Sequence, residues 1–485
     1  MRVNVIRHFI DGAETESSSG ARFDTVDPWT REPWAQVALG GVEEVDRAVT
    51  AARRAFDEGP WPRMGYAERG AILHRLADLI IEHADELALA DTTDMGKPLV
   101  DARNNDVPRS AQNFRFFADH ARLATGEVLP MDTGHHAYTM FEPAGVVAAI
   151  APWNFPLMLE TWKIAPALAW GNTVVLKPAE DTPASATILA GLASQAGMPP
   201  GVLNVVHGYG PASVGAALTA DGRIDRITFT GESGTGKAIA AAAAAHLTPV
   251  SLELGGKGAN VVFADADLDT AVNWSVRAVF SNAGQVCLAG SRLYVQREIY
   301  DDFLAKFVTA AESMRTGDPK LPQTQVGPLA SESHWKKVRS YLDDIGAGGS
   351  TMRTGGLGEG WAIRPTVVTD LPPDARLWRE EVFGPIVVVA PFDSEAEAIA
   401  AANGTCYGLN AMLFTENLSR AHRVASALRA GTVWVNCFFI RDLRAPFGGV
   451  GDSGIGREGG TFSREFFTEP KAVLVAVDGA DDAAQ

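Results

Sequence analysis

Apolar residues along the chain change their spacing twice. Over residues 5–40 they fall in short runs broken by turn formers around "DPWTREPW", which reads as short strands and turns. From Val42 to about Ala90 they recur at helical spacing, in "EVDRAVTAARRAF" and then "RGAILHRLADLIIEHADELALADT", and predict two or three amphipathic helices. Residues 127–142, "EVLPMDTGHHAYTMFE", mix β-formers with a Thr-Gly turn and read as a hairpin. From 145 onward strands and helices alternate. "GVVAAIAPW" is a buried strand, 157–169 a helix, "NTVVLKPAE" a strand ending at a lysine, and "SATILAGLASQAG" a helix. "GVLNVVHG" and "RITFTG" follow as strands, "GTGKAIAAAAAAH" as a helix, then "VSLELGG" and "GANVVFADAD" as strands. Such alternation predicts a parallel sheet covered on both faces. A second α/β set runs from about 270 to 450, so the fold class is α/β with two open-sheet lobes.

Composition supports this division. At 485 residues the chain is too long for one core. Its 46% apolar and 21% charged residues are those of a soluble globular protein. No apolar run approaches the roughly 20 residues of a membrane span, and "MRVNVIRHFIDG" has no signal-peptide pattern. A net charge of −17 argues against nucleic acid or an anionic membrane as partner. Three cysteines, at 287, 406 and 437, offer no disulfide framework and point to a reducing cytoplasm. The acidic tail "DGADDAAQ" reads as a frayed end.

Several motifs carry candidate chemistry. Cys287 in "SNAGQVCLAGSRLYV" sits among small residues, which suit a plain buried thiol as well as a reactive one. "GESGTGKA" has Ala238 where a P-loop needs Ser or Thr, which excludes an NTPase. "GYGPASVG" is a poor dinucleotide fingerprint, with its last glycine late. "GDSG" lacks the β-barrels and disulfides of the proteases it resembles. The His135-His136 pair has no partner at ligand spacing, and no metal site is expected. The turn at Gly231 before a helix could receive a nucleotide pyrophosphate on free N–H groups, or be an ordinary glycine turn. Asn154 in "APWNFP", Lys177 and Glu180 in "LKPAED", Glu253 in "LELGGKGAN" and Glu381 in "EEVFGPI" stand at strand ends or turns, where α/β folds bind ligands.

"PWNFP", "LKPAE", "FTGE", "LELGGK", "GQVC", "EEVFGP", "PFGG" and "SGIGREGG" occur in the order and approximate spacing of the NAD(P)-dependent aldehyde dehydrogenase superfamily, which the chain resembles from about residue 8 to about 475. The resemblance implies two Rossmann-like lobes: an NAD-binding domain from 1–122 and 143–254, and a catalytic domain from 255–454. A protruding hairpin at 123–142 and the segment 455–485 would serve oligomerisation, the hairpin joining the tail of a neighbouring subunit in a homodimer or homotetramer. It implies Cys287 as nucleophile, Glu253 as base, Asn154 with the Cys287 N–H as oxyanion donors, and Lys163 in proton relay. NAD would meet Trp153, Lys177, Glu180, Gly210, Gly231, Glu232, Leu254, Glu381 and Phe383. Relatives carry serine at Glu232, and its role is left open.

Within the superfamily the chain is most similar to the branch that oxidises 2-aminomuconic and 2-hydroxymuconic semialdehydes. That similarity implies Arg109 and Arg441 on a substrate carboxylate, with Phe155 and Cys437 lining the pocket. Arg115 and Arg444 are expected near the same funnel. A betaine-type or simple aliphatic aldehyde is the alternative substrate. A CoA-acylating branch is disfavoured because its members lack the glutamate base. A non-catalytic structural protein on this fold is disfavoured because nucleophile, base and oxyanion donor are all present.

Overall fold

A computed structural model describes residues 4–345 and 349–477. The acidic tail "DGADDAAQ" therefore lies outside the described residues.

The first large sheet has eight strands. Its five parallel members run in the order Val250–Glu253, Arg226–Thr230, Val146–Ile150, Thr173–Lys177 and Leu203–Val205. Antiparallel strands close both edges: Gly454–Ile455 on one side, His8–Ile10 and then Ala13–Thr15 on the other. Val146–Ile150 is buried along its whole length. Val147 and Ala149 face one core while Val146, Ala148 and Ile150 face another, because successive side chains point to opposite faces. That is why these strands read as continuous apolar runs.

The second large sheet has seven strands, in the order Thr351–Leu357, Ile363–Thr369, Ile386–Phe392, Arg292–Gln296, Ala259–Val262, Asn410–Phe414 and Thr432–Val435. All pairings are parallel except that of Thr351–Leu357 with Ile363–Thr369. Leu293 and Val295 pack on one face with Phe303 and Phe307, and Tyr294 on the other with Phe263.

Three helices, Val42–Asp57, Tyr66–Glu82 and Ala84–Met95, stand where helical spacing predicts them. The hairpin is present as Val128–Leu129 against His135–Pro143. One expectation is corrected. The strand Thr468–Ala476 pairs antiparallel with His135–Pro143 of the same chain, from Thr468 opposite Pro143 to Ala476 opposite His135. The tail fills the hairpin's free edge itself, so the pairing needs no neighbour.

Candidate active site

Two parallel strands of the first sheet end at candidate site residues. Lys177 and Glu253 are the last residues of their strands. After Ile150 the chain turns through Asn154 into the helix Pro156–Ala169, which Pro156 can open because the first helical position needs no N–H donor. The Leu157 N–H is received by buried Asp91, 3.3 Å away. Strand ends of this kind are where open α/β sheets collect ligands.

Cys287 is delivered by an unusual run of backbone. After the helix Leu268–Phe280, Asn282 and Ala283 take left-handed conformations with φ of 52° and 54°, and Gly284 follows at 69°. This presses the chain against the loop at 384, where a Cβ on Gly284 would lie 2.2 Å from the Gly384 carbonyl oxygen. Side chains hold the run in place. The Asn282 amide donates to the Asn154 carbonyl at 2.8 Å, and Gln285 Oε1 accepts from the Ala330 N–H at 3.0 Å. Asn154 Nδ2 donates to the Gln285 carbonyl at 2.9 Å. One of its two amide hydrogens is thereby used to orient the group, and the other stays available to an oxyanion. Behind the cysteine, a Cβ on Gly256 would lie 2.5 Å from the Cys287 carbonyl, which explains the second glycine of "LELGG".

Cys287 stands where two spaces meet. An outer cleft of about 980 Å³ is bounded by Trp153, Gly231, Glu232, Leu254, Glu381 and Phe383, with Cys287 and Asn154 at its floor. A narrow inner chamber is lined by Cys287, Asn154, Glu253 and Arg441. Phe155, Met158, Val286, Phe439 and Arg441 line that chamber and also a funnel of about 1300 Å³ that includes Arg109 and Lys97.

Burial favours the uncharged forms of Cys287 and Glu253. Burial pushes the Cys287 thiol up to about 12, helped by the carboxylates of Glu381 and Glu253 and opposed by Arg441. Burial likewise holds Glu253 well above the usual carboxylate range, and the neighbouring Glu458 adds to the shift while Lys163 opposes it. Both Glu253 carboxyl oxygens are buried without a hydrogen-bond partner. Lys163 Nζ reaches Thr228 Oγ1 at 3.0 Å and Glu458 Oε1 at 3.2 Å. Glu458 also accepts from Thr228 Oγ1 at 3.1 Å, Ser251 Oγ at 3.4 Å and Trp162 Nε1. Glu381 accepts the Gly256 N–H at 2.8 Å, yet burial still raises it to about 7. An iodoacetamide titration should therefore label Cys287 of the free enzyme about tenfold faster per pH unit from 7 to 9, because the thiolate fraction grows that way below the thiol's own pKa. A plateau near pH 7 would show a thiol already ionised.

Most of the sequence-derived residues converge, and several do not. Lys177 is buried, bonded to Glu180 Oε2 at 3.2 Å, and neither is among the residues that bound the cleft. Glu232 precedes the helix Ser233–Ala243, and its exposed carboxylate turns toward Lys337, 3.8 Å away, rather than into the cleft's helix N-terminus. Gly210 lies outside the residues bounding the cleft and accepts the Ala216 N–H at the start of the helix Val214–Thr219. Cys437 is not a funnel residue: it packs, half-buried, with the cluster of Trp434 and Phe438. Arg115 pairs with Asp78 at 2.6 Å on the surface, because six residues at 100° each set it about 120° around the helix from Arg109. Arg444 pairs with Asp442 at 2.6 Å and is exposed. The serine of "GDSG" is structural: buried Ser453 donates to the Gly255 carbonyl at 2.7 Å and receives the Gly408 N–H at 3.0 Å. Sequence reasoning missed Glu458, although it lies inside "SGIGREGG", and it missed His334 and Lys337, which bound the cleft.

Comparison with known proteins agrees with this geometry. The model of the family described as "Aldehyde dehydrogenase family" matches residues 15–473. The chain is 49% identical over 482 residues to a 2-hydroxymuconic semialdehyde dehydrogenase of Pseudomonas sp. (strain CF600), covering 97% of this chain and 99% of that one. It is 44% identical over 482 residues to a human 2-aminomuconic semialdehyde dehydrogenase, covering 97% and 98%. Among solved structures, an NAD+ complex of an aldehyde dehydrogenase from Bacillus cereus superposes with a TM-score of 0.96 at 42% identity, covering 98% of this chain and 97% of that one. With Cys287, Glu253 and Asn154 gathered around one inner space, the chain belongs to the aldehyde dehydrogenase family.

Proposed function

We propose that the protein oxidises a carboxylate-bearing semialdehyde of the muconic type to the corresponding acid, with NAD as hydride acceptor. The observation that carries the substrate is the pair Arg109 and Arg441. Their guanidinium carbons lie 6.0 and 5.1 Å from the Trp162 ring, and Arg441 is also 3.8 Å from that of Phe447. Among the described residues neither makes an ion pair. Burial lowers the affinity of both for their protons, Arg441 to about 10; Arg109 adds to the shift of Arg441 while Cys287, Glu253 and Glu458 oppose it, and Asp442 opposes that of Arg109. Two cations held against aromatic rings without an ion-pair partner are costly until an anion joins them, and a planar carboxylate suits the guanidinium fork. The names of the relatives above fit the same reading.

NAD fits the outer cleft. Glu381 is fixed by the Gly256 N–H to meet ribose hydroxyls, and Phe383 and Trp153 form its wall. When bound, the cofactor supplies the hydride acceptor. Cys287 Sγ bonds to the aldehyde carbon as its proton leaves for Glu253, and the carbonyl electron pair moves to oxygen. Asn154 Nδ2 and the Cys287 N–H hold that oxyanion. Departure of hydride from the same carbon leaves an acyl thioester on Cys287. Once the thiol proton has passed on to solvent, Glu253 takes one from water, whose oxygen adds to the thioester carbon; collapse frees the acid and expels the sulfur, which regains its proton from Glu253. Lys163 and Glu458, bonded to each other beside Glu253, hold the charge balance of that base.

The Arg109→Ala and Arg441→Ala enzymes should each lose at least about tenfold in kcat/KM for 2-hydroxymuconic semialdehyde, roughly 1.4 kcal/mol, and change little with an uncharged aldehyde of similar length. Equal losses on both substrates would reduce the arginines to scaffold.

NAD is preferred over NADP in this reading because Glu180 would repel a 2′-phosphate while accepting from ribose hydroxyls. Glu180→Gln should narrow the ratio of kcat/KM between the two cofactors; an unchanged ratio would remove Glu180 from that role. The exposed apolar residues Val128, Leu129, Met140 and Leu474 on the hairpin–tail sheet support assembly into a homodimer or homotetramer. No helix among the described residues is long and apolar enough to cross a membrane, and three unpaired cysteines support a cytoplasmic location.

A further inference from the structure

His334 has no part in the mechanism above, yet it lies in the wall of the outer cleft. Ser331 caps the helix Glu332–Asp343, accepting the His334 N–H at 3.4 Å, and so sets the imidazole in the first turn with its ring directed inward. His334 Nε2 lies 2.7 Å from the Phe383 carbonyl oxygen. A carbonyl can only accept, so Nε2 carries the proton and the tautomer is defined. Burial lowers the imidazole to about 4, which keeps it neutral at working pH.

The group it holds is strained. Phe383 has φ of 59°, a left-handed conformation that an aromatic residue adopts only under constraint. Two residues earlier is Glu381, clamped by the Gly256 N–H, and the next residue, Gly384, abuts the left-handed run that delivers Cys287. The imidazole also packs against rings on both sides. Its centroid is 4.9 Å from Trp153 and 5.9 Å from Phe383, while Trp153 and Phe383 meet edge to face at 5.3 Å. Trp153 directly precedes the oxyanion donor Asn154. Three rings from three separate segments thus form one wall of the cleft that also holds Cys287.

We propose that His334 is a positioning residue for hydride transfer: its Nε2–H and its ring lock Phe383 and Trp153 into a single aromatic wall that aligns the hydride acceptor over Cys287. The inference rests on the reading of the outer cleft as the NAD site. Locking matters because transfer requires the reacting atoms at near-contact distance, and a wall free to turn lets the acceptor leave that geometry. The two contributions separate by substitution. His334→Gln retains an N–H donor that can reach the Phe383 carbonyl, whereas His334→Phe keeps a ring and loses the donor.

The test measures kcat and KM for NAD, the isotope effect with aldehyde deuterated at C1, and cofactor-free hydrolysis of p-nitrophenyl acetate. That last reaction uses Cys287 without any hydride step. We expect His334→Phe to lose at least tenfold more in dehydrogenase kcat/KM for NAD than in ester hydrolysis, with a larger isotope effect than wild type. His334→Gln should recover most of the difference. Parallel loss of both activities in the two variants, or full dehydrogenase activity in His334→Phe, would overturn the proposal. Failure of the NAD reading itself shows differently, as wild-type enzyme that neither binds nor reduces NAD.

Discussion

Cys287→Ala should abolish aldehyde oxidation while leaving NAD binding and the fold intact. The side chain is half-buried at the junction of cleft and chamber, and the groups that hold its backbone are the side chains of Asn282 and Gln285 rather than its own sulfur. Losing one sulfur from a position already open to two cavities leaves little new void, so the stability change is small, about 1 kcal/mol or less. Chemistry has no such tolerance. The other two cysteines cannot substitute: Cys437 is packed against Trp434, and Cys406 lies exposed in the loop before the strand Asn410–Phe414, outside both spaces that Cys287 joins. Turnover is read by NADH absorbance and binding by quenching of tryptophan fluorescence, to which Trp153 contributes directly. More than a few per cent of wild-type turnover in the variant would mean that another group attacks the aldehyde.

Glu253→Gln should divide the reaction in two. With the base gone, a first hydride transfer still proceeds, since Cys287 can lose its proton to solvent at alkaline pH, but the thioester waits for water that nothing activates. General-base catalysis is typically worth about 10²–10⁴ in rate, and steady turnover should fall by that order. Rapid mixing should show a burst of NADH close to one per active site, followed by a slow phase. Burial already favours a neutral carboxyl at 253, so the isosteric neutral amide should leave the variant about as stable as wild type. Burst and steady rate falling together would move Glu253 to the attack step alone; an unchanged steady rate would falsify its assignment as base. The sign of the pH dependence follows from the same residue. Glu253 is held protonated by burial, so its function is lost as pH falls and gained as pH rises, and wild-type turnover should climb toward alkaline pH while the Gln variant's slow phase climbs less.

Much of this protein is already determined by local properties of the chain. The parallel strands are legible because both faces of each sheet are covered, which leaves uninterrupted apolar runs such as Val146–Ile150. The helices between 42 and 95 are legible because one face of each is wet. Cys287, Glu253 and Asn154 are legible as candidates because their motifs stand in the order and spacing of the family, with Glu253 at a strand end. What local properties leave undecided is direction and partnership. Arg109 and Arg115 share one helix, and only the orientation of that helix sends the first to the funnel and the second to Asp78. Cys437 neighbours the funnel in sequence but turns into the core. Glu232 leans toward Lys337, a residue of the cleft over a hundred positions away. The tail closes on its own hairpin because an edge strand pairs with whichever strand lies nearest in space. Glu458 and His334 acquire their roles entirely from contacts with Lys163 and Phe383, which no period or motif along the chain encodes. Spacing specifies elements because it reports which face is buried; it cannot report what a side chain meets there, since that depends on residues brought together only when the lobes close.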